Sequence, residues 1–411
     1  MKNIGIIAEY NPFHNGHCLQ IQEIRRRFPE ARIVVAMSGS FTQRGTVAIL
    51  DKWQRAEAAV RHGASLVLEL PTVFSTRSAQ YFAEGGVRLL DRLGVVDVLT
   101  FGSECENPET LARLADIIEA NQQSVVLKNA LQKGSTYAAA ITETAEPTAD
   151  IRQPNVILAV EYLRAIRRFH ANFSAMPLPR FSTDHHNPEI PSERNGSVVA
   201  SASAIRAALT NGNEYDALRA VPEDVGTMIS DASKHGYANM KYLFRPLLSK
   251  LLTASSDNLR SILGVNEGIE HRIRRASLSA LSYEQIIEAI HSKRYPLARI
   301  RRLLLHILLS LSKENASLFD IFGPLYARVL AFDDKGRSML RTIRKHTKIP
   351  IITKPSRFLP ARALNAGQLP PAQKMFAFDL RATALASLAS HSIGHPPANA
   401  DFLFSPKYLQ K

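Results

Sequence analysis

The chain has 411 residues, 45% of them apolar, which excludes a disordered chain and exceeds one ordinary α/β core, so two or more domains are expected. Two cysteines exclude a disulfide framework and fit a reducing, cytoplasmic setting, and no apolar run reaches the length of a membrane span. The formal charge of +14 is unevenly spread: residues 1–220 hold 23 basic and 23 acidic residues, which leaves 28 basic and 14 acidic residues in 221–411. That asymmetry points to a polyanion-binding second half, because Lys and Arg pairing with phosphates releases counterions.

In chain order, residues 3–8 are short, apolar and β-branched, as a buried parallel strand should be. Asn11-Pro12 stops that strand, since proline lacks an N–H and restricts the residue before it. A helix is predicted over 16–27, with Leu19, Ile21, Ile24 and Phe28 as its apolar stripe. Further strands are predicted over 31–37, 65–70, 95–101 and 173–178, and helices over 51–62, 78–92, 107–120 and 154–168, with helical insertions near 123–145. Asp51 opens the second helix and Gly63 stops it. This alternation argues for an α/β fold with a doubly wound parallel sheet, whose ligands bind beyond the C-terminal strand ends. His14, Ser38-Gly39-Ser40 and Gly102 all fall just past such ends and are expected on one rim, with 184–197 as a loop over it. Past Pro222 the pattern is mostly helical, over 241–254, 267–276, 283–292 and 298–312. A small strand–helix–strand unit follows from 328 to 352, then a last helix near 371–390. The expected domains are 1–220 for nucleotide chemistry and 221–411 as a mostly helical basic domain.

Between the first strand and the first helix stand His14-Asn15-Gly16-His17. Gly16 keeps bulk away, so a phosphate can reach amides of the first turn, where the helix dipole favours an anion. Each imidazole can donate to oxygens that gain charge during attack at an α-phosphorus. His-x-x-His also occurs as a surface pair or a zinc site, but no Cys or carboxylate stands at ligand spacing, so no metal site is expected.

The strand followed by Asn-Pro-Phe-His-Asn-Gly-His resembles the first motif of the HIGH-type nucleotidylyltransferase superfamily. Ser201-Ala202-Ser203-Ala204-Ile205-Arg206 resembles its Ser-rich turn ending in Ile-Arg. Over most of its length the chain is similar to the bacterial tRNA(Met) cytidine acetate ligase family. The shared motifs run in order through Ile6 to His17, Met37 to Gly45, Asp51-Lys52-Trp53 with Arg55, and Leu68 to Pro71. They continue through Phe101 to Glu104, Pro154 to Leu158, the Ser201 to Arg206 turn and Lys293-Arg294-Tyr295.

The resemblance implies an ATP site made by Ile7, Ala8, Glu9, Tyr10, Asn11, Pro12, Phe13, His14, Asn15, Gly16, His17, Cys18, Leu19 and Gln20, with His14 and His17 as the catalytic pair on the phosphates. It adds Gly102 packed against the nucleotide, Asn155 bonded to it, Arg180 near the phosphates, and Ser203 and Arg206 from the Ser-rich turn. Magnesium would enter carried by ATP. After Arg180 the family pattern of Gly residues and a Tyr-His-Asp ending is replaced by Asp184-His185-His186-Asn187, which leaves His185 without an assigned role and places His186 beside the pocket.

Lys293, Arg294, Tyr295, Arg299, Arg301 and Arg302 form the densest basic run and are expected to bind RNA. The tyrosine could stack on a splayed base while the cations hold phosphates. By resemblance the reaction activates acetate as acetyl-adenylate and acetylates N4 of the wobble cytidine of elongator tRNA(Met). Two other readings fit parts of the chain. An adenylyltransferase acting on a small-molecule acceptor leaves the basic half unexplained. A non-catalytic RNA-binding module gives no reason to keep both His14 and His17.

Overall fold

In a computed structural model the described residues are 1–121, 153–180, 190, 198–266, 268–363, 368–392, 394 and 396–410. The predicted loop over 184–197, with His185 and His186, and the insertions near 123–145 lie outside them, Ile190 excepted. The five first-half strands form as β1 Asn3–Ala8, β2 Arg32–Ser38, β3 Leu66–Leu70, β4 Val98–Ser103 and β5 Ser174–Pro179. The helices predicted between them form too, with bounds within three residues of those expected. All five strands run parallel, in the order β5-β4-β1-β2-β3. From β1 the chain winds one way to β2 and β3 and the other way to β4 and β5. The switch in order therefore lies between β1 and β4, where the crevice of a doubly wound sheet opens.

Both faces of the sheet are covered, as a parallel sheet requires. Ile4, Ile6, Ile33, Val35 and Met37 point to one core, and Ile7, Val34, Ala36 and Leu68 point to the other. The second half is mostly helical, but it also completes this sheet. β6 Ala327–Asp333 pairs antiparallel with β3, and β7 Ile351–Ile352 and β8 Lys407–Leu409 both pair parallel with β6. The sequence showed the 328–352 unit but not its docking on β3. That edge would otherwise leave the wholly buried strand Leu66–Leu70 with a row of unpaired backbone groups.

A buried ion cluster pins this junction. Lys52 Nζ lies 2.9 Å from Glu69 and 2.8 Å from Asp401, and Arg328 contacts the same two carboxylates at 2.9 and 2.6 Å. Glu69 occupies the space that a Cβ at Gly39 would need, so glycine in Ser38-Gly39-Ser40 is set by this cluster.

Candidate active site

The site begins where β1 ends. Tyr10 adopts a positive φ of 49°, the Asn11–Pro12 peptide is cis, and the helix Asn15–Arg27 follows. The buried Arg55 guanidinium holds the turn from below. It donates to the carbonyls of Glu9 at 2.6 Å and Ser38 at 3.1 Å, and also to that of Gly39, so one side chain ties together the segments that leave β1 and β2.

His14 caps the helix. Its Nδ1 accepts the Gly16 N–H at 3.1 Å, while Nδ1 of His17 accepts the His14 N–H at 3.2 Å. The two rings stack with centroids 3.7 Å apart. An accepting Nδ1 leaves the proton of a neutral imidazole on Nε2, so in both histidines Nε2 is the nitrogen that donates. The His17 ring also sits against Tyr10 and Phe13. Burial, then the neighbouring His14 and Arg180, hold its pKa well below the ordinary imidazole range, so His17 is neutral.

This geometry corrects the expected role of the helix start. The Asn15 N–H donates to Ala220 O, that of Gly16 to His14 Nδ1 and that of His17 to His14 O. The first-turn amides are thus already engaged, and anion binding falls to side chains. Gly16 lines the cavity, and a Cβ there would meet the His14 ring at 2.9 Å, so glycine is needed to seat the cap.

Above the histidines lies a cavity of about 440 Å³ at the β1/β4 switch point. Ile7, Ala8, Glu9, Tyr10, Asn11, His14, Gly16, His17 and Gln20 line it, as do Gly102, Asn155, Arg180 and Arg206. A Cβ at Gly102 would meet nothing within 4 Å, which fits a backbone left bare for a ligand. Glu104 joins Asn155 and Arg180, accepting from each at 2.7 and 2.6 Å, and Arg206 reaches back to the Asn11 carbonyl at 2.6 Å. With Arg44 and Arg302, four guanidinium groups face the cavity, against the Glu9 carboxylate and the paired Glu104. Such a concave, cationic, partly apolar site suits a nucleoside polyphosphate.

Five residues of the predicted segment 7–20 lie off the cavity. Pro12 and Phe13 are buried, Asn15 fastens the helix to the Val198 and Arg219 carbonyls, and Cys18 packs on the apolar core. Leu19 is half-buried outside the lining. Ser203 Oγ bonds to Ser201 Oγ at 2.9 Å, and Ser201 caps the helix Ala202–Thr210, so the Ser-rich turn is used for capping while Arg206 faces the cavity.

The basic run is divided by its helix, Leu297–Leu309. Lys293 and Arg294 are exposed, and Arg299 and Arg301 are half-buried. Tyr295 is only 6% exposed, with the Arg299 guanidinium 4.9 Å from its ring centre. Its expected base-stacking role is therefore corrected, because the ring is already covered. Arg302, expected on RNA, lines the same cavity as His14 and His17. Arg44, Ser78, Phe82 and Tyr162 also line it and were given no role from the sequence. Arg44 stood within the Met37 to Gly45 motif, which was the available signal.

Comparison with known proteins decides the family. The HIGH Nucleotidyl Transferase model matches residues 1–399. The tRNA(Met) cytidine acetate ligase of Syntrophomonas wolfei is 36% identical over 420 residues, covering 99% of both chains. The chain belongs to the tRNA(Met) cytidine acetate ligase family. A second tRNA(Met) cytidine acetate ligase, from Caldanaerobacter subterraneus, is 37% identical over 369 residues, covering 87% of this chain and 90% of that one. Crystal structures of Thermotoga maritima TmcAL, apo and bound with alpha-thio ATP, match with TM-scores of 0.89 and 0.87 at 30% and 31% identity over the full length of both chains. The fold shared with this ligase family thus takes in the second half, including β6 to β8.

Proposed function

We propose that this protein is an ATP-dependent ligase that acetylates N4 of the wobble cytidine of elongator tRNA(Met). An acetate oxygen attacks the α-phosphorus of ATP in line, the α–β bridging P–O bond breaks, and pyrophosphate leaves. The cytidine N4 amine then attacks the acetyl carbonyl, AMP leaves, and the amine gives up a proton. The observation that carries this reading is the convergence of the His14 and His17 imidazoles, each with an Nε2–H donor, and four arginines on one cavity at the β1/β4 switch point. Fixed donors of this kind stabilise the charge that grows on phosphate oxygens without reorganising. The cytidine amine is a weak nucleophile, so activation and positioning must supply most of the rate. Magnesium enters on the nucleotide phosphates, and the reaction belongs in the cytoplasm. The exposed Lys293 and Arg294, with the basic residues of the second half, carry the RNA.

The test is acetate-dependent pyrophosphate release from ATP, measured without RNA. Release that requires acetate is expected. Release that is indifferent to acetate, or absent, contradicts the first half-reaction.

A further inference from the structure

We propose that Arg302 is a phosphate ligand of the ATP site, delivered to it by the second half of the chain. Three observations carry this. First, Arg302 lines the same cavity as His14 and His17, although it lies in the helix Leu297–Leu309. Second, its side chain is half-buried yet has no acceptor among the described residues. Arg180, by contrast, pairs with Glu104, and Arg206 donates to Asn11 O. Burial, then the charge of Arg299, pulls its pKa down to about 10, which still leaves it cationic at neutral pH. Taking a charge from water without a partner is costly, and a polyphosphate in the cavity would supply the missing acceptors.

Third, its position is fixed by contact with the loop after β2. Gly45 has a φ of +75°, and a Cβ there would come within 2.6 Å of the Arg302 backbone nitrogen. The Thr42–Thr46 turn therefore rests directly on the helix backbone and brings Arg44 to the same cavity. Glu9 holds the turn by accepting the Gln43 N–H at 2.6 Å. Arg44 and Arg302 thus reach the cavity from two elements in contact, where they would hold the β- and γ-phosphates and stabilise the departing pyrophosphate. The helix that supplies Arg302 begins three residues after the exposed Arg294, so the proposed nucleotide and RNA contacts lie on consecutive segments of the chain.

This inference rests on the proposed use of ATP, and the experiment separates the two. ATP affinity is measured by calorimetry for wild type, Arg302→Gln and Arg302→Lys, alongside acetate-dependent pyrophosphate release, tRNA affinity and the melting temperature. Arg302→Gln is expected to lower pyrophosphate release by about a hundredfold and to weaken ATP binding, with partial recovery in Arg302→Lys and tRNA affinity kept. Wild-type ATP affinity and pyrophosphate release in Arg302→Gln, with or without a loss of tRNA binding, overturns the assignment and returns Arg302 to the RNA track. If Arg302→Gln melts early, inhibition of Arg302→Lys by inorganic pyrophosphate decides: weakened inhibition supports the contact and unchanged inhibition overturns it. If wild type binds ATP but releases no pyrophosphate with acetate, the proposed reaction fails, while the ATP affinities still decide Arg302.

Discussion

Arg328 on β6 stands directly opposite Glu69 on β3, with Nη1 2.9 Å from the Glu69 carboxylate. The pair sets the register in which the second half docks on the nucleotide-binding sheet. Lys52 and Asp401 complete it from a helix of each half, all four groups being buried. Buried ion clusters of this kind give little net stability over apolar packing, but breaking one strands a charge.

Arg328→Met should therefore lower unfolding stability by about 3–5 kcal/mol in urea titration, because Glu69 and Asp401 lose a counter-ion. Glu69→Met in addition removes one stranded charge and should recover part of that loss. Equal stability of the single variant and wild type would show that the cluster does not hold the junction.

The first-half strands were legible because short β-branched runs ended in turns at residues such as Asn11-Pro12 and Gly63. The β3–β6 pairing was not, because Glu69 and Arg328 are far apart in sequence and each alone reads as a surface charge. For the same reason the run from Lys293 to Arg302 read as one basic cluster. Folding turns Tyr295 into the core and Arg302 to the cavity, and only the packing of Gly45 against that helix reveals it. His14 and His17 were legible as a pair, but their reciprocal capping, which takes up the helix amides, requires the backbone geometry.

In the proposed reaction His14 and His17 act as neutral Nε2–H donors. His14→Ala or His17→Ala should slow acetate-dependent pyrophosphate release by about 100- to 1,000-fold, the usual loss for one fixed donor on a developing oxyanion. Because the His17 pKa is depressed, its donor needs no extra proton, so the rate should show no rise as pH falls from 8 to 6. A rate that climbs through this range in wild type and not in His17→Ala would mean that an imidazolium acts instead.

His306 gives a stability signal at lower pH. It is buried, Nε2 lies 3.0 Å from the Thr76 carbonyl, and burial brings its pKa down to about 4. An unfolded histidine titrates near 6.5, so between about 6.5 and 4 the unfolded chain binds a proton that the folded chain refuses. Stability from this group is thus full above about 6.5 and falls with decreasing pH by about 1.4 kcal/mol per unit. Urea titrations of wild type and His306→Gln at pH 7.5 and 5 check this. The variant should lose less than wild type on acidification, and an equal loss would exclude His306 as the source.

Gly102 offers a test of the cavity without disturbing the fold. Its Cβ would enter open space, so Gly102→Leu should fold with near-wild-type stability while its side chain occupies the nucleotide position. The KM for ATP should rise about tenfold or more, equivalent to about 1.4 kcal/mol of lost binding. An unchanged KM would place the nucleotide elsewhere.

The most direct measurement is ATP-dependent transfer of labelled acetate to total tRNA, followed by digestion and nucleoside analysis. The account predicts label in N4-acetylcytidine from elongator tRNA(Met) alone, and none when ATP is omitted. Unlabelled tRNA despite acetate-dependent pyrophosphate release would contradict it and assign the activated acyl group to a small-molecule acceptor.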